Sequence, residues 1–234
     1  MSSEALVGVE RLGDVDAPRI AWFLHGILGR GRNWRTFARR MVQEQDGWQA
    51  LLVDLRCHGD APARPGPHTL AACGRDLAAL AEATGAPQRV IGHSFGGKVA
   101  LTWLEHHAIG RPTTWVLDSP PGTGETRSVT PQSDPAFILG LLRAVPVPAV
   151  DRKELREPLV AAGLPETLVA WLLTSTRRTD DGWTWCWDLD GVEQMLDDYL
   201  RTDLWDFLAR TDHRVGLVRA GRSERWGAED DARP

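Results

Sequence analysis

Cysteine is scarce in this 234-residue chain. Cys57, Cys73 and Cys186 are odd in number and widely spaced, which suits neither a disulfide framework nor a zinc site and reads as free, structural thiols. Long apolar runs are missing as well: none approaches membrane-spanning length, and Met1-Ser2-Ser3-Glu4 lacks the basic stretch and apolar core of a signal peptide. No membrane association and a cytoplasmic location are therefore expected. No basic cluster stands out from the mixed charges, so a nucleic-acid surface is excluded. Repeats and low-complexity tracts are absent too.

What is there is an ordinary globular composition, 42% hydrophobic and 25% charged with a net charge of -5. The length suits one domain, or one domain with a sizeable insertion, around a proper core. Along the first half, strands and helices alternate. Strands are expected at 5–10, 20–24, 48–54, 89–91 and 113–118, with helices from Asn33 to about Gln45, from His68 to Ala83 and from Lys98 to Leu104. Ile20-Ala21-Trp22-Phe23-Leu24 is apolar on both faces, as an interior parallel strand must be. Such alternation predicts right-handed βαβ units and a mostly parallel sheet covered on both faces.

From Thr123 to Arg210 the rhythm changes to mainly helical segments, at about 135–145, 152–162, 165–174, 189–200 and 204–208. The strand pattern then returns at Arg214 to Ala220. This places a core at 1–122 and 211–234 and a helical cap at 123–210. Within the cap, Trp183, Trp185 and Trp187 alternate along an extended segment, either packing or lining a pocket.

The stretch with most chemical content is Gly92-His93-Ser94-Phe95-Gly96-Gly97, between a buried strand and a helix. Glycines at 92 and 96 are needed where strand and helix backbones approach too closely for a β-carbon. Ser94 is left at the apex in a strained conformation, at a helix N-terminus that favours developing negative charge. His93 beside it reads as a packed elbow residue. Asp54, Arg56 and His58 read as residues that fix their own loop by hydrogen bonds.

Together with His25-Gly26, Asp54-Leu55-Arg56-Cys57-His58-Gly59, Leu117-Asp118-Ser119-Pro120 and Gly221-Arg222-Ser223-Glu224, this elbow resembles the α/β-hydrolase fold family, over nearly the whole chain. Within it, the chain is similar to small intracellular abhydrolase-type esterases. The resemblance implies a Ser94 nucleophile acting on a small-molecule ester through an acyl-enzyme, with no metal and no organic cofactor. It implies an oxyanion hole from the backbone N–H groups of Phe95 and Ile27, or Leu28, in a loop supported by His25 and Gly26. For the triad acid it offers Glu224, and Asp118 as the alternative.

The pattern breaks at the C-terminus. The family has a further strand, a histidine and a closing helix after the acid, whereas no histidine lies beyond His213 here. His213 opens the strand at 214–220, and His106 and His107 end the elbow helix, so all three are expected far from Ser94. A C-terminally shortened α/β-hydrolase with impaired activity is the expectation, and a non-catalytic binding protein on the same scaffold the alternative. The unpaired edge of the last strand is expected to support a homodimer.

Overall fold

The computed structural model describes residues 7–124, 131–223, 225–227 and 230. Three buried apolar segments form the middle of the sheet: β2 (Arg19–Leu24), β3 (Trp48–Asp54) and β4 (Arg89–His93). They run parallel, with β3 and β4 on either side of β2. The opening strand β1 (Gly8–Gly13) pairs antiparallel with β3. It starts and ends later than its sequence pattern suggested, and residues 5 and 6 lie outside the described residues. β5 (Thr113–Leu117) extends the parallel sheet beyond β4, and β8 (Val215–Val218) completes it, in the order β1-β3-β2-β4-β5-β8.

Side chains alternate across a strand, so β2 supplies two cores. Trp22 and Leu24 join one cluster with residues of α2 (Leu70–Thr84) and α3 (Phe95–His106). Ala21 and Phe23 join the other, with Ala38 and Met41 of α1 (Arg35–Glu44). Asn33 does not cap α1, because a short 3-10 turn at Gly31–Trp34 comes first and the Asn33 side chain instead accepts the Arg30 N–H.

Between β5 and β8 the chain forms α4 (Pro135–Ala144), α5 (Arg152–Ala161), α6 (Glu166–Leu172), α7 (Leu189–Arg201) and α8 (Trp205–Arg210). Asp134, Asp151 and Asp188 cap α4, α5 and α7 by accepting first-turn amides. The segment is not purely helical. β6 (Thr176–Thr179) and β7 (Gly182–Trp185) make an antiparallel hairpin, each strand too short for a distinct alternating pattern.

One buried cation ties this segment to the sheet. Lys98 of α3 donates from Nζ to the carbonyls of Gly122, Tyr199 and Thr202 at 2.8, 2.7 and 2.9 Å. At the far side of the sheet, β8 pairs only with β5 among the described residues, and Trp115, Leu217 and Val218 stay exposed there. No described helix is long and apolar enough to cross a membrane.

The loop after β3 is held by a buried ion pair. Arg56 donates to both carboxylate oxygens of Asp76 at 2.8 and 2.9 Å and to the carbonyls of Pro67 and Ala72. Removing one partner of a buried pair leaves the other charge uncompensated. Arg56→Ala is therefore expected to lower the unfolding free energy by about 3 kcal/mol or more, measured by urea denaturation; a loss under about 1 kcal/mol would mean the pair is solvated.

Candidate active site

Ser94 stands between β4 and α3 with φ 49° and ψ -120°. That strained conformation is imposed by crowding on both sides. A β-carbon on Gly96 would stand 2.6 Å from the carbonyl oxygens of Leu24 and His25, and one on Gly92 2.6 Å from the Gly96 carbonyl carbon. Only glycine lets β2, β4 and α3 come this close. The Ser94 N–H donates to Leu117 O at 2.9 Å, which fixes the turn against β5. Although Ser94 is only 5% exposed, it lines a cavity of about 590 Å³.

The adjoining wall is the loop from His25 to Gly29, where a β-carbon on Gly26 would stand 3.4 Å from Ser94 Cβ. Both nitrogens of His25 are engaged: Nδ1 donates to Gly26 O at 2.8 Å and Nε2 accepts the Leu55 N–H at 3.0 Å. His58 repeats the pattern, donating to Arg56 O and accepting the Leu28 N–H at 3.1 Å. The two rings lie 4.8 Å apart. Burial pushes His25 down to about 4 and His58 to about 3, each further lowered by nearby positive or imidazole charge, so both are neutral at physiological pH. Because His58 takes the Leu28 amide, Leu28 is removed as an oxyanion donor. The Ile27 N–H finds no acceptor among the described residues, and the Phe95 N–H, first in its helix, has none within the helix.

Asp118 follows β5 with φ 50°. Its Oδ1 accepts the Ala220 N–H at 3.3 Å and the Trp226 indole N–H at 3.1 Å. Burial works against its charge, but these donors and the nearby Arg225 outweigh it and hold the carboxyl below the usual range. Glu224, the first-choice acid, lies outside the described residues. Its neighbour Arg225 does reach the site, and Nη1 donates to Ser94 Oγ at 2.8 Å.

His93 differs from expectation. Its side chain is exposed and lines the cavity, with one edge so near Gly26 that a β-carbon there would meet Nδ1 at 3.0 Å. The remaining walls come from Trp34 and from Ile138, Leu168 and Trp171 of the inserted segment. Trp183, Trp185 and Trp187 are not among them: Trp185 and Trp187 are buried and stack at 5.4 Å. His106, His107 and His213 line no part of the cavity.

Sequence reasoning missed Arg225, Lys98 and Tyr199. The Tyr199 ring packs 6.1 Å from Phe95 and its hydroxyl lies 3.4 Å from Ser119 Oγ. These residues act across about a hundred positions of sequence, and no local pattern marks them.

The elbow and sheet order define a class, and the sequence agrees with it: residues 23–149 match the family described as alpha/beta hydrolase fold, and the chain belongs to it. The mouse sn-1-specific diacylglycerol lipase ABHD11 is similar, 32% identical over 196 residues that make up 79% of this chain and 60% of that protein. A 2-succinyl-6-hydroxy-2,4-cyclohexadiene-1-carboxylate synthase of Serratia proteamaculans is 32% identical over 94 residues, 38% of this chain and 33% of the other. The chain thus spans at most about 60% of the length of these relatives. Among solved structures, a marine microorganism esterase superposes with a TM-score of 0.79 at 23% identity, over 96% of this chain and 84% of that one.

The two neutral histidines make the fold sensitive to acid. Their folded values, about 4 and about 3, lie below the unfolded value near 6.5. The unfolded chain therefore binds more protons in that window, and stability present above about pH 6.5 is lost as pH falls toward the folded values. Urea unfolding at pH 5 is expected to give a free energy lower than at pH 7 by about 2 kcal/mol per histidine. An unchanged value would mean that these rings are not buried in their neutral form.

Proposed function

We propose that this chain is a serine hydrolase acting on carboxylic esters, with Ser94 as nucleophile. The observation that carries the reading is the strained Ser94 turn facing a cavity that Ile27 also lines. In this reading Ser94 Oγ attacks the acyl carbon, and the developing oxyanion takes hydrogen bonds from Phe95 and Ile27 N–H at the positive end of α3. The inserted segment 123–210 serves as a cap whose Ile138, Leu168 and Trp171 receive the acyl or alcohol chain.

Asp118 is the acid we favour, with Glu224 as the alternative. What supports Asp118 is its ionised carboxylate at the end of the strand beside the elbow, oriented by Ala220 and Trp226. Its role would be to orient an imidazolium. Among the described residues no imidazole nitrogen is hydrogen-bonded to Ser94 Oγ, although His93 lines the same cavity. Arg225 donates to that oxygen instead, and a guanidinium cannot accept the serine proton. Without a base, transition-state binding alone leaves only about 10³–10⁴-fold catalysis over water. This contact also favours a second reading, a binding protein on the same scaffold.

Exogenous base separates the two. Arg225→Gly opens space beside Ser94 Oγ, and added imidazole is expected to raise its hydrolysis of a short-chain p-nitrophenyl ester by about tenfold or more over the same imidazole in buffer, within the range of positioned base catalysis. Arg225→Gly/Ser94→Ala should show no such gain. Equal rescue with and without the Ser94 hydroxyl would remove the nucleophile assignment and leave the binding reading.

A further inference from the structure

Away from the cavity, three side chains of different chemistry converge where the loop after β3 meets the start of α7. The Cys57 thiol lies 3.2 Å from His68 Nδ1 and 3.8 Å from Asp188 Oδ2. All three potential ligand atoms fall within 4.8 Å of one another. A tetrahedral zinc ion, with bonds of about 2.0–2.3 Å, holds its ligand atoms roughly 3.3–3.7 Å apart. The two sulfur distances straddle that range and the set spans up to 4.8 Å, so closing around an ion needs His68 and Asp188 to draw together by up to about 1 Å.

We propose that Cys57, His68 and Asp188 bind a divalent transition metal, zinc foremost, independently of the Ser94 site. Sulfur, imidazole and carboxylate together are a ligand set zinc accepts, and the soft thiolate disfavours magnesium and calcium. Binding displaces the thiol proton to solvent and forms the metal–sulfur bond. One thiolate and one carboxylate then balance the two positive charges, which leaves a neutral centre beside a buried histidine. Asp188 is half exposed, so water can enter and occupy the fourth position.

The backbone around the cluster is built to hold it. Cys57 sits at φ 62°, a left-handed conformation that ordinarily favours glycine or asparagine. A β-carbon on Gly191 would overlap Cys57 Sγ, so the missing side chain makes room for the sulfur. Asp188 N–H donates to Cys57 O at 3.0 Å, and its other carboxylate oxygen caps α7 through Gly191 N–H at 3.2 Å. His68 is buried. A metal here would cross-link the β3–α2 loop to the inserted segment and stabilise their docking.

The ligand spacing 57, 68 and 188 follows no zinc motif, which is why Cys57 read as a structural thiol. The test uses the purified chain after chelator treatment, titrated with Co²⁺ by absorbance and with Zn²⁺ by calorimetry. A single saturable equivalent is expected, with a sulfur-to-cobalt charge-transfer band and a rise in melting temperature. Cys57→Ser should abolish the band, whereas Cys73 and Cys186 remain as internal controls. Asp188→Asn keeps the helix cap but should weaken binding tenfold or more, and Ser94→Ala should bind as the parent does. Absence of saturable binding, or a band that persists in Cys57→Ser, would overturn the site and leave a thiol–imidazole hydrogen bond beside a capped helix.

Discussion

The close approach of three backbones around Gly92 and Gly96 is the constraint on which the rest depends. β2, β4 and α3 pass within distances that exclude a β-carbon, so the chain between β4 and α3 has one way to turn. That turn carries Ser94 in a conformation other residues avoid. The strain is repaid by burial of Phe95, Val99 and Trp103 against Trp22 on the neighbouring strand. The backbone position of Ser94 is thus set by main-chain packing.

The inserted segment is attached by polar contacts at a few points, and Lys98 is central among them. Its ammonium reaches three carbonyls from two stretches of chain, although burial depresses its affinity for the proton to about 8 against the pull of Asp203, Asp230 and Asp198. Each charge-assisted bond offsets part of that desolvation. Asp188 and Cys57 form a second attachment and Tyr199 against Phe95 a third. These contacts add to an apolar continuity, since Ile138 belongs to the same buried cluster as Trp22 and Phe95 and Leu168 and Trp171 pack against it.

How much of this the sequence disclosed follows from range. The elbow, the buried strands and the helices are written in neighbouring residues: glycine spacing, apolar runs, apolar residues at helical spacing. The loop role of Asp54, Arg56 and His58 was legible for the same reason, and the pairs Arg56–Asp76 and His58–Leu28 bear it out. The hairpin of β6 and β7 was not, since four-residue strands give too few alternations to separate from a loop. The exposure of His93 was hidden too, because the cavity it lines is built with residues distant in sequence such as Gly26 and Arg225. Arg225 at Ser94 and the Cys57 cluster join residues more than a hundred positions apart, where no periodicity applies.

Charge in the cavity divides two tasks that a hydrolase usually combines. His25 and His58 are neutral and spend their nitrogens on backbone groups, so they shape the loop beside Ser94 without adding charge to it. Arg225 is the one fully charged side chain among the described residues lining the cavity. Its guanidinium polarises Ser94 Oγ and would favour a negative oxyanion nearby, but it makes the hydroxyl a worse nucleophile by occupying its lone pair. The geometry is therefore better suited to stabilising an anionic transition state than to generating the alkoxide that leads to one. In the proposed reaction the gain in rate must come from a base that accepts the Ser94 O–H, a position the Arg225 contact leaves free, since the hydroxyl has one donor and two lone pairs.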